Sequence, residues 1–321
     1  MGGEVNKRSE RKFNLHRDGY FRKLLLKLKR EPLKTDPVDR MNQIANKFFG
    51  YRFDCRYPKT FNEYTCWLKY FYRNKEWERC ADKLGSKEFL IEHGYEKYVI
   101  KTLGIYKNSS EIDLSKLPDR FVLKTNHDSG SVYICDKKET NFEEVFKELD
   151  ESLQHVYSES NDEWVYQNTK PVIFAEEIIQ PRVGNKIIDY KFFGFNGKFG
   201  WGFTGQNRLK DARFTVFEDD FKHPKVEYIH INPEKEDYPP KPDSFDEMVK
   251  VTEEISKILD FVRVDFYDTT EGPKIGELTF FSHSGLGIFT RKKYDYKYGE
   301  FFKNTKIYEE VLKKINEGYN K

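Results

Sequence analysis

Three features of the sequence predict an α+β fold with a helical N-terminal extension. Apolar Val262, Val264 and Phe266 alternate with Arg263 and Asp265, the period of a half-buried strand, and a second strand follows the turn chemistry of Asp268-Thr-Thr-Glu-Gly-Pro273. Stretches 189–195 and 198–204 flank Asn196-Gly197, the residue pair that suits a type I′ hairpin turn. Helical spacing fills the intervals, as in Met248, Val251, Ile255 and Ile258 behind the capping sequence Ser244-Phe-Asp-Glu247.

The chain has 321 residues, enough for one large domain or two to three modest ones, each with its own core. Its 28 Phe and 21 Tyr mean that aromatics, rather than Leu and Ala, carry the burial. No run approaches the roughly 18 apolar residues of a membrane span and no signal peptide is visible, so a cytoplasmic protein is expected. Cys55, Cys66, Cys80 and Cys135 lack paired metal-ligand spacing and read as free buried thiols.

The net charge of +2 hides an asymmetry. Residues 1–34 hold eleven Lys/Arg against four Asp/Glu, which leaves the rest slightly acidic, 45 against 50. Within them 20–30 is a basic helix candidate, able to touch a polyanionic substrate or the anionic inner face of a membrane. A solvated helix packing its Leu stripe on the body is the simpler alternative. Nucleic acid is not expected, because no basic–aromatic recognition motif accompanies the segment.

Taken in order, 38–49 reads as a helix ending near Gly50, and 61–75 as an aromatic-rich amphipathic helix. Strands 121–124 and 132–135 flank the small polar loop 126–131, the arrangement of a flap that covers phosphates with backbone N–H groups. Helix 142–153 and buried strand 171–175 follow, the latter running into Glu176-Glu177. Segment 206–213 is polar and loop-like, the helix from Ser244 feeds the hairpin of 261–280, and 304–315 is a closing helix.

The 261–280 hairpin carries the chemistry. Closed symmetrically about Glu271, it sets Asp265 opposite Glu277 and Arg263 opposite Thr279, with Ile275, Glu277 and Thr279 on one face and Gly276, Leu278 and Phe280 on the other. Opposed residues share a face, and two carboxylates there repel unless a proton or cation lies between them. Oxygen ligands without His or Cys suit Mg²⁺, and Arg263 offers a planar charge for a phosphoryl group. An ordinary exposed charged face is the competing interpretation.

Other motifs fall away. His16-Arg17-Asp18 mimics a kinase catalytic loop, but no nucleotide lobe precedes it and no DFG follows. The chain has no P-loop, no GxGxxG and no Asp-x-Asp, and Glu218-Asp219-Asp220 reads as a solvated turn. Ser282 and His283 are neighbours in sequence and so do not form a dyad on one strand face.

Together, Lys83 in Ala-Asp-Lys, Lys124 ending Phe-Val-Leu-Lys, the loop 126–131, Glu176-Glu177, Arg263-Val-Asp265 and Gly276-Glu-Leu-Thr279 occur in ATP-grasp order. With FVLKTNHDSG, DYKFFGFNGK, FVRVDFY, GELTFF and HSG, the chain over 59–299 resembles the TupA-like ATP-grasp proteins of bacterial surface-polysaccharide and teichuronopeptide biosynthesis. The resemblance implies ATP between two α+β subdomains within 81–321, a nucleotide lid at 121–185 and a metal-binding catalytic part at 186–321, preceded by a basic, mostly helical region at 1–80.

It further implies that Lys83 and Lys124 contact phosphates while the loop residues Asn126, His127, Ser129, Gly130 and Ser131 close over them. The backbone at Glu176, Glu177 and Ile178 would meet adenine, with a hinge glutamate on the ribose. Asp265 and Glu277 would hold Mg²⁺, joined by Thr279 where many ATP-grasp enzymes have Asn. Arg263, Lys191 and Arg208 would serve the phosphoryl group and acceptor, with Arg213 a further option. The implied activity is a carboxylate–amine ligase acting on a uronic acid or acidic amino acid. A kinase or glycosyltransferase of the same pathway, or a nucleotide-binding module without catalysis, remains open. Loops 205–215 and 281–293 would choose the acceptor, and His283 or His127 would take a proton from the amine unless each is structural.

Overall fold

The aromatic and β-branched runs organise two antiparallel sheets in a computed structural model of the chain. It describes residues 34–128, 130–154, 162–184, 187–206, 213–226, 228 and 238–319. The basic helix expected at 20–30 lies outside them.

Four helices lead the described chain: α1 (Pro37–Phe49), α2 (Phe61–Phe71), α3 (Lys75–Ala81) and α4 (Lys83–Glu92). Each starts on a side-chain cap, Asp36, Thr60, Asn74 and Asp82 in turn, and Thr60 with Glu63 forms a full capping box. The single helix expected over 61–75 breaks at Tyr72, because Asn74 captures the amides of Glu76 and Trp77 and restarts it. A boundary after residue 80 falls inside α3, so a cut there divides one helix.

The first sheet has the strand order β1-β4-β2-β3, from β1 (Thr102–Tyr106), β2 (Arg120–Thr125), β3 (Val132–Asp136) and β4 (Ile173–Glu176). Phe121, Leu123, Cys135, Ile173 and Ala175 pack on α5 (Phe142–Ser152). The register puts Val122, Lys124, Phe174, Glu176, Val132, Ile134 and Ile105 on the other face. That face is open: Ile105, Val132 and Ile134 are all exposed.

The second sheet has the order β7-β6-β5-β8-β9, from β5 (Asp189–Phe195), β6 (Lys198–Gln206), β7 (Arg213–Phe217), β8 (Phe261–Thr269) and β9 (Gly272–Thr279). Asn196 (φ 45) and Gly197 (φ 85) make the predicted two-residue turn between β5 and β6, since both positions need positive φ. One face lies on α6 (Phe245–Leu259), which buries Phe245, Met248, Val251 and Ile255, each contributing about 1.5–3 kcal/mol. A Cβ on Gly194 would sit 2.6 Å from the Ser256 Cβ, so glycine lets β5 approach α6. Half of the opposite face is an aromatic core in which Phe193, Trp201 and Phe261 meet Phe61 of α2 and Phe302. The other half carries charge. Two further helices, α7 (Lys292–Gly299) and α8 (Lys306–Glu317), close the chain, α8 starting two residues later than expected because Thr305 caps it.

Two expectations fail in detail. Ser244 does not cap α6: its hydroxyl donates to Asp268 Oδ1 at 2.7 Å, while Glu247 takes Lys97 and Tyr98. In the β8–β9 hairpin the register is as predicted at Asp265–Glu277 and Arg263–Thr279, but a bulge between Asp265 and Phe266 leaves Gly276 as the extra residue. Ile275 therefore pairs with Phe266 and joins Leu278 on the core face, not Glu277 on the charged one.

Candidate active site

The pairing of three strands decides what meets on the charged half of the second sheet. Lys191 of β5 is opposite Asp265 of β8, and Asp265 is opposite Glu277 of β9, so the three form one row. Phe193, Arg263 and Thr279 form the next row. Arg263 grips Asp265 with both Nε (2.7 Å) and Nη2 (2.8 Å), and its Nη2 also donates to Thr279 Oγ1 at 2.9 Å. Lys191 bonds Asp265 Oδ2 and lies 2.9 Å from Asp189 Oδ2. Nη1 of Arg263 reaches Ser282 Oγ at 3.3 Å, tying the strand to the loop after β9.

Burial would raise the Asp265 carboxyl, but the charges of Arg263 and Lys191 overcome it and hold it below the usual range. The Lys191 amine is pushed down by burial, with Asp265 opposing. The two carboxylates therefore do not face each other bare, as the sequence reading had it: cations already neutralise Asp265. Glu277, half-buried, makes no hydrogen bond or ion pair among the described residues.

This donor set fits Mg²⁺. It offers two carboxylates and the Thr279 hydroxyl, with no sulfur or imidazole. No group of three or more His, Cys, Asp or Glu able to hold a metal occurs among the described residues. An ion that keeps waters and shares phosphates needs only one or two carboxylates.

The open face of the first sheet holds the second cluster. Glu176 is buried and accepts from two lysines: Lys87 Nζ lies 2.5 Å from Oε1, and Lys124 binds Oε2. Both amines also stand over the Phe174 ring, 5.5 and 5.3 Å from its centre. Lys87 further donates to Ile100 O (2.5 Å) and Thr102 Oγ1 (3.1 Å), and burial pushes its pKa down against the pull of Glu176.

Lys83, one helical turn before Lys87, donates to the Asp128 carbonyl. Asn126 is fully engaged, bonding Asp82 Oδ2 (2.7 Å), Lys170 O (3.0 Å) and the Val172 amide (2.9 Å), which ties the flap's base to α4 and β4. His127 is buried. The amides of Gly130 and Ser131 turn inward onto Asp128 Oδ1, and the hydroxyls of Ser131 and Ser152 onto Oδ2. Burial opposes ionisation of Asp128, yet the Lys83 charge and these hydroxyls take its pKa down to about 2.

Glu177 and Ile178 are half-buried just past β4. Glu176 is committed to lysines, whereas Glu177 is not held by either of them. Ser129 and Arg208 lie outside the described residues.

Lys87 and Asp128 were missed by sequence reasoning. The i, i+4 spacing from Lys83 places Lys87 on the same helix face and could have found it. No comparable signal marks Asp128, whose role rests on a turn that no local pattern fixes. Helices α3 and α4 contact β9, and the isolated bridges Val99–Ile275 and Pro181–Thr269 join the lysine-bearing region to the second sheet.

A profile of TupA-like ATP-grasp proteins matches residues 63–303. The chain belongs to the TupA-like ATP-grasp family. Its fold is accordingly ATP-grasp, the two sheets being the two halves of the grip. No curated protein matches the chain. Among solved structures, D-alanine–D-alanine ligase from Bacillus anthracis complexed with ATP is 16% identical over 75% of this chain and 67% of its own, with a TM-score of 0.40. The ATP-grasp ligase PsnB complexed with minimal precursor, Mg and ADP is 10% identical over 72% and 59%, with a TM-score of 0.39. The TupA-like chain spans about half to two thirds of the length of such structures, 52% of PsnB with minimal precursor alone.

Proposed function

We propose that this TupA-like protein is an ATP-dependent carboxylate–amine ligase. The observation that carries the reading is the row Lys191–Asp265–Glu277 with Arg263 beside it, set on the charged half of one sheet while the other sheet carries a lysine-rich, apolar face. Ile105, Val132 and Ile134 around Lys124 suit a purine, and Lys83 and Lys124 suit its phosphates.

Asp265 and Glu277 would hold Mg²⁺ with help from Thr279, and the ion supplies charge that shields the triphosphate. Arg263 neutralises charge on the γ-phosphoryl group as a substrate carboxylate oxygen attacks phosphorus and the bond to ADP breaks. Lys191, held between Asp189 and Asp265, orients that carboxylate. An amine then attacks the acyl carbon, phosphate departs, and the amine's proton passes to a base; the His283 ring, 5.4 Å from Tyr228 at the loop that touches Arg263, is the base we assign.

The substrate carboxylate belongs, in this reading, to a uronic acid or acidic building block of a bacterial surface polysaccharide, and the work is cytoplasmic. No helix among the described residues is long and apolar enough to cross a membrane. The basic 1–34 segment would meet the membrane's inner face. Binding of the full chain to anionic vesicles, lost when 1–34 is deleted, checks that point.

Hydroxylamine tests the chemistry. With ATP, Mg²⁺ and a uronic acid it should trap the acyl phosphate as a hydroxamate and release ADP. ADP with a phosphorylated sugar hydroxyl and no hydroxamate would instead make the protein a kinase.

A further inference from the structure

The loop between β2 and β3 carries an anion that its own donors already hold. Asp128 is half-buried where that loop meets α4 and α5. Among the described residues, four hydrogen bonds reach its carboxylate. The hydroxyls of Ser131 and Ser152 donate to Oδ2 at 2.5 and 2.6 Å, and the amides of Gly130 and Ser131 donate to Oδ1 at 3.4 and 3.3 Å. Ser152, on α5, is buried, and its hydroxyl also meets that of Ser131 at 2.8 Å. Lys83, on α4, donates to the Asp128 carbonyl, and its charge acts on the carboxylate.

These partners are the groups that a phosphate would use in this loop. Lys83 and two of the loop's amides are turned instead to an anion that belongs to the chain itself. The bonds are unequal. Those from the hydroxyls are short, as bonds to a carboxylate are, and they anchor it. Those from the amides lie beyond the roughly 2.7–3.2 Å usual for N–H···O bonds, so they are easily given up. An incoming phosphate can therefore take the amides, but it then lies beside a carboxylate that stays in place.

We propose that Asp128 is an internal competitor of the nucleotide's phosphates, an anion that limits how tightly this loop holds them. Two anions within reach of the same donors repel, and the charge of Lys83 must be shared between them. Ser152 is the anchor of the device: it stands on α5, outside the loop, and keeps the carboxylate turned inward. A limit of this kind bears on turnover, because ADP must leave the same contacts and product release sets the rate of many enzymes. The inference rests on the reading that this loop meets phosphates.

Calorimetric titration of the full chain with MgATP and with adenosine tests it. Asp128→Asn keeps the shape and removes the charge, so it should tighten MgATP roughly tenfold and leave adenosine, which has no phosphate, unchanged. Ser152→Ala frees the carboxylate to turn away and should tighten MgATP about threefold, again without effect on adenosine. Circular dichroism checks folding, and if Asp128→Asn does not fold, the serine variant decides. Unchanged or weaker MgATP binding in the deciding variant, or an equal gain for adenosine, overturns the inference. MgATP bound no more tightly than adenosine in wild type and variants alike would remove phosphates from the loop and the inference with them. The ligase reading is judged apart from both, by the hydroxamate.

Discussion

The two polar clusters are built from the same ion pairs but with opposite balance. On the first sheet Lys83, Lys87 and Lys124 outnumber Glu176 and Asp128, so positive charge is in excess. On the second sheet Asp189, Asp265 and Glu277 outnumber Lys191 and Arg263, so negative charge is in excess. In the proposed reaction one face would meet an anion and the other a cation. A magnesium nucleotide carries both, and this division of labour teaches more than either cluster alone.

The largest effect should come from unbalancing the second sheet. Asp265→Asn leaves Arg263 and Lys191 buried beside a neutral amide, and urea denaturation should report a loss of about 3–5 kcal/mol. On the first sheet the corresponding carboxylate is Asp128. Its folded pKa lies below the ordinary 3.8, so its contribution is present above that value and fades as pH falls toward about 2. Asp128→Asn should therefore cost about 2 kcal/mol at neutral pH and nothing near the acid limit.

Smaller still is the coupling between Lys87 and Lys124. Either alanine variant leaves Glu176 one partner, whereas the double variant leaves a buried carboxylate bare. A double-mutant cycle should show about 1 kcal/mol beyond additivity. Last comes Glu277→Gln. Facing bare carboxylates would gain stability from this change, but Asp265 is already neutralised, so thermal melting without metal should be unchanged. A clear rise in melting temperature would show that Arg263 and Lys191 do not neutralise Asp265 as described.

The sequence was most legible where period and turn chemistry agree. Alternation through 261–266 and the Asn196-Gly197 turn set the registers that align Lys191, Asp265 and Glu277. Legibility stopped where one residue breaks a period: Gly276 bulges, and Ile275 changes face. It also stopped where tertiary partners outbid local ones. Ser244 looks like a cap but is drawn to Asp268, and Glu176 looks like a hinge contact but is drawn inward by lysines from β2 and α4. Neither competing partner lies close enough in sequence to be seen from the chain alone.

Nucleotide affinity measured by calorimetry, with and without Mg²⁺, tests the division most directly. Lys124→Ala should weaken ATP binding in both conditions, because the proposed contact is with the nucleotide itself. Glu277→Gln should weaken binding only when Mg²⁺ is present, because the proposed contact is with the ion. Equal loss in Glu277→Gln with and without Mg²⁺, or unchanged affinity in folded Lys124→Ala, would contradict the account.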